Sequence, residues 1–194
     1  MKLNLGCGDD LRDGYENVDA RDIHGRNRIV DLDVLPWPWS DGSVEEILML
    51  DFLEHFEYSK TDQIVLECWR VLRPMGVVEV QVPDFEHCAA ALVGKHDTYL
   101  CNACGNLCSM ELACNVCGRT HLEIASSAVA RLYGGQDYAG NYHKTTFTKK
   151  TLETKFRQLG FGSIEFLVTN EHGESYSQNW SIKMRARKED DLWT

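Results

Sequence analysis

Leu3-Asn4-Leu5 runs directly into Gly6-Cys7-Gly8, and Tyr15-Glu16-Asn17-Val18-Asp19 follows only six residues later. The first stretch reads as a short apolar strand and the last as a second strand closed by an acid. A strand that ends in Gly-x-Gly can turn sharply and bring its backbone against a ligand where a Cβ would clash. An acid at the end of the next strand can accept from both hydroxyls of a ribose. Little room is left between the two strands for the usual crossover helix, so the first crossover must be abbreviated. Gly-x-Gly alone also marks ordinary strand-to-loop turns, and the downstream sequence has to decide.

Ile29-Val30-Asp31-Leu32 reads as a third strand. The Leu35–Ser43 stretch, with two prolines and Asp41-Gly42, reads as a loop. Glu46 to Asp51 is a nearly continuous apolar run, as expected of a strand buried on both faces of a parallel sheet. Ser59 to Leu72 has helical spacing of Ile64, Val65, Cys68, Val71 and Leu72, with Ser59 as the expected N-cap and Asp62 three residues on. Pro74 and Gly76 stop it, and Val77 to Val82 is the next strand, ending at Pro83-Asp84. Strands with a helix before the fifth point to a parallel α/β sheet. Phe85 to Val93 and Thr120 to Tyr133 read as helices, the second opened by Thr120 and Glu123 as a capping box and closed by Gly134-Gly135. Thr148 caps another helix through Leu152, Phe156 and Leu159, stopped by Gly160. Ser163 to Val168 and Ser181 to Ala186 read as a closing hairpin.

The length of 194 residues and the 43% hydrophobic content fit one soluble domain with a sizeable core. No apolar run approaches the ~20 residues that cross a bilayer. The N-terminus has no signal-peptide pattern, so a cytoplasmic location with cysteines as thiols or metal ligands is expected. A net charge of -10 argues against a globally basic nucleic-acid surface. That charge is uneven: residues 1–94 carry 8 basic and 19 acidic side chains, whereas residues 95–157 carry 8 and 5.

The pieces LNLGCG (3–8), YENVD (15–19), DLDVLPWPWSDGSVEEI (31–47), LEHF (53–56), RVLRPMG (70–76), VPD (82–84), HKTTFTKKTL (143–152) and LGF (159–161) occur in one order. As a set they resemble the class I S-adenosylmethionine (SAM) dependent methyltransferases, closest to a short bacterial and phage subgroup found near sugar and polysaccharide genes. The resemblance implies a Rossmann-like α/β sheet, mostly parallel with an antiparallel last strand. It implies that Asn4, Gly6, Cys7 and Gly8 lie along the methionine part of SAM and that Asp19 takes the ribose hydroxyls. Asp31 would accept from the adenine amino group, with Leu32 beside it. Leu50, Asp51, Glu54 and His55 would lie near the cofactor, with His55 more readily a loop-holding residue than a catalyst. Trp37 and Trp39 either edge the adenine or fill the core. A dinucleotide oxidoreductase is disfavoured, because Leu11 stands where its third glycine belongs and Asp19 comes too early.

Residues 85–144 interrupt this pattern. Cys101-Asn-Ala-Cys104-Gly and Cys114-Asn-Val-Cys117-Gly are matched CxxCG units. Four thiolates in CxxC pairs suit a closed tetrahedral zinc site of the ribbon or knuckle class, which is structural because no position is left for substrate. Cys108 or His121 could replace a ligand, while free thiols, a disulfide or an iron–sulfur site are the other readings. The expected organisation is a cofactor half (1–84), a zinc-stapled insertion or lid after the fifth strand (85–144), and a C-terminal part of the core (145–188).

Methyl transfer needs alignment of the acceptor and, for an oxygen acceptor, removal of its proton. His143 is the expected general base, with Asp84 and Asp51 in reserve, and Tyr138, Tyr142 and Lys144 could orient a polar acceptor. The expected activity is O-methylation of a small molecule or glycan. The alternatives are a nucleic-acid or protein methyltransferase, or a SAM-binding module, that uses the zinc insertion for docking.

Overall fold

The structure, a computed structural model, describes residues 1–93, 99–100, 107–108, 128–138, 140–167 and 180–189. Its strands are β1 (Lys2–Leu5), β2 (Glu16–Asp19), β3 (Arg28–Ile29), β4 (Val44–Leu50), β5 (Leu72–Pro83), β6 (Tyr99–Leu100), β7 (Leu107–Cys108), β8 (Phe161–Phe166) and β9 (Ser181–Lys188). The helices are α1 (Tyr58–Val71), α2 (Phe85–Leu92), α3 (128–133) and α4 (Lys149–Gln158). Seven strands form one sheet in the order β3-β2-β1-β4-β5-β9-β8, and β6 pairs with β7 alone.

β1 pairs in parallel with β2 on one edge and β4 on the other. The chain direction of sheet growth reverses there, which in open α/β sheets opens a crevice beyond the carboxyl ends of the strands. β9 is antiparallel to both β5 and β8, so it lies between them. Its alternating Ile182, Met184 and Ala186 are buried and stand opposite Val82, Val80 and Val78. The closing pair of strands is thus present as expected, and its inner member is the last in sequence.

No helix links β1 to β2. Parallel strands usually need a crossover of a dozen or more residues. Side-chain amides replace the missing helix. The buried Asn4 Nδ2 donates to Asp10 O at 2.7 Å and to Asn17 Oδ1 at 2.9 Å, and the same Asn17 oxygen accepts from the Arg12 amide at 2.8 Å. Asn17 Nδ2 returns a bond to Arg12 O at 3.1 Å.

The third strand is shorter than expected, because the Asp31 carboxylate accepts from the Asp33 amide at 3.0 Å and turns the chain. Helix α1 starts at Tyr58 with Glu57 as N-cap rather than Ser59: Glu57 O accepts the Lys60 and Thr61 amides, and Ser59 is already inside the first turn. Trp37 and Trp39 fill the core, 3% and 5% exposed, in an edge-to-face pair 6.0 Å apart. Glu67 and Arg70 of α1 clamp this loop. Glu67 Oε1 accepts the Trp37 amide at 2.6 Å, while Arg70 donates to the carbonyls of Trp39 at 2.9 Å and Trp37 at 3.2 Å. At the other end, Thr148 caps α4 by accepting the Thr151 amide, as the sequence implies, and Gly160 closes it at φ 95°.

Asn17→Ala strips partners from the buried Asn4 amide and from the Arg12 backbone. Chemical denaturation is expected to show a loss of about 1–3 kcal/mol, against little change for a substitution at the exposed Asp13.

Candidate functional site

A cleft of about 470 Å³ opens beyond the carboxyl ends of β1, β2 and β4. One wall carries Gly6, Gly8, Asp19, Arg21, Asp31 and Leu32; the other carries Asp51, Phe52, His55, His143 and Lys144. Tyr138, Gly140 and Asn141 line it as well, from the segment that returns from the long interruption.

The glycine turn is forced by its surroundings. Gly6 has φ 64°, and a Cβ there would stand 2.3 Å from Phe52 Cδ2. Asp19 is 8% exposed; its carboxylate accepts the Gly8 amide at 3.0 Å and the Arg21 amide at 2.9 Å, with Arg21 Nε at 3.3 Å. A carboxylate has about four acceptor sites, so capacity for a ligand hydroxyl remains. Arg21 also stacks on the Tyr138 ring, 4.7 Å from its centroid, which draws the return segment over the mouth of the cleft.

Several residues singled out from the sequence lie away from the cleft lining. The Asn4 side chain holds the β1–β2 loop. Cys7 is buried, its thiol pushed up to about 11 by burial and then by the nearby Asp19 charge. Leu50 is the last residue of β4, and it is Asp51 and Phe52 that reach the cleft. Asp84 caps α2, its Oδ1 accepting from the amides of Glu86 at 3.0 Å and His87 at 3.3 Å. Cys101, Cys104, Cys114 and Cys117, together with His121, lie outside the described residues; of Cys108 only the β7 backbone is described.

At the other end of the cleft, Asp51 adopts φ 51°, uncommon for a residue with a side chain. Its carboxyl is raised by its enclosed surroundings, against the opposing pull of Arg131, a 3.0 Å bond from Gln81 Nε2, and His55. Leu53–His55 form a single 3-10 turn directly after it. The return segment is pinned to that turn by the amides of Lys144 and Thr145, which both donate to Glu54 O at 2.8 and 3.2 Å.

Two histidines meet here edge to face, with ring centroids 4.8 Å apart. His143 Nδ1 lies 2.8 Å from Arg131 O, and His55 Nδ1 lies 3.2 Å from Tyr142 O. A carbonyl only accepts, so each Nδ1 carries a proton, which leaves Nε2 as the nitrogen free to act as a ligand or acceptor. Burial holds the His143 pKa below the ordinary histidine range, so this ring stays neutral at physiological pH.

Glu54, expected from the sequence only to lie near the cofactor, is an acid inside the largely apolar Leu53–Phe56 stretch. It is 0% exposed, and neither carboxylate oxygen has a hydrogen-bond partner among the described residues. Burial first, and the Asp51 charge second, push its pKa well above the usual carboxylate value. Its Oε1 stands 4.0 Å from His143 Nε2. Ligand-type atoms of Glu54, His55 and His143 all lie within 4.8 Å of one another.

Because Glu54 has a raised pKa in the folded chain, its ionisation works against folding once pH exceeds the unfolded carboxylate pKa. The groups facing it are Asp51, His55, His143 and Arg131. Glu54→Gln is therefore expected to stabilise the protein by about 1–3 kcal/mol at pH 8 and by little near pH 4.5, measured by thermal melts at both.

Residues 3–80 match the family model described as "Methyltransferase domain". No curated protein matches the chain in sequence. Among solved structures, it is similar to an S-adenosylmethionine dependent methyltransferase from Mesorhizobium loti, with 15% identity over 96% of this chain and 90% of that one and a TM-score of 0.57. It is also similar to a SAM-dependent methyltransferase, possible histamine N-methyltransferase, from Thermotoga maritima, with 14% identity, coverage of 97% and 82%, and a TM-score of 0.55. A third is the Burkholderia thailandensis 1,6-didemethyltoxoflavin-N1-methyltransferase with its substrate and S-adenosylhomocysteine bound, at 15% identity, coverage of 97% and 71%, and a TM-score of 0.51. At these identities the likeness establishes the fold, and the domain match adds the chemistry. The cleft at the switch point of the seven-stranded sheet and the methyltransferase-domain match over residues 3–80 together support a SAM-dependent methyltransferase.

Proposed function

We propose that the protein transfers the SAM methyl group to an oxygen of a small polar molecule or glycan, held between Asp51, His55, His143 and Lys144. The observation that carries this reading is the division of one cleft into two chemically different ends. The glycine turn, Asp19 and the Asp31–Leu32 corner suit a nucleoside and amino-acid conjugate: backbone in close approach, an acid for ribose hydroxyls, an acceptor for the adenine amine. The opposite end gathers two imidazoles, the Asp51 carboxyl group and a lysine, suited to a polar acceptor.

The sulfonium already activates the methyl carbon, so orientation supplies most of what the protein adds. In the transfer, an acceptor oxygen forms the new O–C bond as the S–C bond breaks and the electron pair goes to sulfur. The acceptor proton must also leave, and the neutral His143, which lines the cleft, is the group best suited to take it. Asp51 is its reserve, whereas Asp84 is engaged at the start of α2. The Burkholderia neighbour is an N1-methyltransferase crystallised with its 1,6-didemethyltoxoflavin substrate; a small acceptor for this chain agrees with the size of its cleft.

Residues 85–144 form the lid in this reading, its return segment crossing the cleft at Tyr138 to Lys144. Zinc held by Cys101, Cys104, Cys114 and Cys117 staples it. The antiparallel pairing of Tyr99 with Cys108 and Leu100 with Leu107 supports the first knuckle, since Cys101 and Cys104 fall between these strands in sequence.

Calorimetric titration with SAM tests the cofactor site. Wild type is expected to bind in the micromolar range and Asp19→Ala at least tenfold more weakly; absence of binding by the folded wild type would overturn the reading. A second measurement tests the staple. Cys7, Cys68 and Cys88 are buried, and burial raises their thiols, Cys88 to about 12. At pH 8 they are expected to resist alkylation with or without chelator, while the four proposed ligands become reactive only after chelation. Equal labelling of those four in zinc-replete protein would exclude the site.

A further inference from the structure

We propose that Glu54, His55 and His143 together hold a divalent first-row metal ion at the acceptor end of the cleft, and that the acceptor hydroxyl binds this ion directly. The inference rests on the reading of the cleft as a methyltransferase site and assigns the acceptor end a cofactor of its own.

Three independent features converge. The first is the uncompensated carboxyl. Glu54 is 0% exposed, and its two oxygens have no hydrogen-bond partner among the described residues. A chain gains nothing in stability from burying an acid in this way. A cation beside it turns that cost into coordination.

The second is the orientation of the imidazoles. Each donates Nδ1–H to a backbone carbonyl, His143 to Arg131 at 2.8 Å and His55 to Tyr142 at 3.2 Å. Metal-binding histidines are held in this manner, because the carbonyl fixes the tautomer and leaves the other nitrogen's lone pair for the ion. His143 Nε2 is turned to Glu54 Oε1 at 4.0 Å, too far for a hydrogen bond and near the span across two ligands of one ion.

The third is the spacing of the set. The three ligand-type atoms lie within 4.8 Å of one another, and His55 and His143 line the same cleft. Two imidazoles and one carboxylate suit manganese, iron, cobalt or zinc better than magnesium or calcium, which favour oxygen-only cages. Three protein ligands leave positions open for an incoming oxygen.

This changes how the acceptor proton is removed. A hydroxyl bound to a divalent ion loses its proton near neutral pH. His143 then acts as a ligand rather than taking the proton itself, and the proton leaves to water at the open side of the cleft, which Asp51 lines. The resulting alkoxide attacks the methyl carbon, the S–C bond breaks, and the products are the methyl ether and the neutral thioether of the cofactor. No electron is exchanged with the metal.

The test uses Mn2+ as probe on the full chain loaded with no more than one zinc per chain, which the four thiolates take first, leaving the imidazole–carboxylate set for Mn2+, an ion for which thiolates compete poorly. Bound Mn2+ is counted by electron paramagnetic resonance, with SAM affinity and melting temperature measured on the same samples. Wild type is expected to bind one Mn2+ per chain and to melt higher in its presence, since a ligand specific to the folded state stabilises it. Glu54→Gln and His55→Ala are each expected to weaken Mn2+ binding at least tenfold. Glu54→Gln should also lose the Mn2+-dependent rise in melting temperature while remaining folded. His55 is only half-buried, so its variant serves even where a change at Glu54 alters packing. Failure of wild type to bind Mn2+ while it still binds SAM would overturn the metal site and leave the methyltransferase reading intact. Unchanged Mn2+ affinity in both variants would overturn it too. Loss of SAM binding by the wild type would instead count against the underlying reading.

Discussion

The site depends on β1 being paired in parallel on both edges with almost no chain available to make the turn. Asn4 and Asn17 meet that demand: Asn4 donates a hydrogen bond to Asn17, and both side chains bond to the backbone of the loop they span. The short loop forces Gly6 to positive φ against Phe52 and brings the Gly8 amide onto the Asp19 carboxylate. A longer crossover would satisfy the backbone within a helix; here side-chain amides do it, which places rigid polar packing directly beneath the cleft. Asn4, carried into the motif as a cofactor residue, acts one layer below.

The second dependence joins distant parts of the chain. The amides of Lys144 and Thr145 both reach the Glu54 carbonyl, and His143 is anchored on the carbonyl of Arg131. The segment that returns from the long interruption after α2 is thereby fixed against the turn that follows β4. Two consequences follow together: the cleft acquires its second wall, and two histidines, 88 positions apart by their numbers, come edge to face above a buried acid. At Glu54, burial without a hydrogen-bond partner among the described residues costs free energy.

Much of the architecture was legible in the sequence. Apolar alternation and glycine or proline stops placed most strands and helices within a few residues, and Thr148 announced its helix by its own cap. The misses have local causes. Ser59 had the right chemistry for a cap, but the chain already turned at Glu57. Ile29-Val30-Asp31-Leu32 looked like a longer strand until the Asp31 side chain captured the Asp33 amide. Trp37 and Trp39 were ambiguous between ligand edge and core because both environments favour a large ring; the clamp from Glu67 and Arg70 decides for the core.

By itself, then, the order of LNLGCG, YENVD, the Asp31–Leu32 corner and the LEHF turn determined a mostly parallel α/β sheet and one wall of its cleft, because each is a local backbone requirement written in adjacent residues. The opposite wall needed tertiary structure. Glu54, His55 and His143 are ordinary residues in sequence, and nothing in their spacing relates them. They become a site only when the return segment pairs with the Glu54 carbonyl and excludes water from its side chain. Burial and the direction of a ring nitrogen are properties of packing between distant segments, and no stretch of the chain carries them alone.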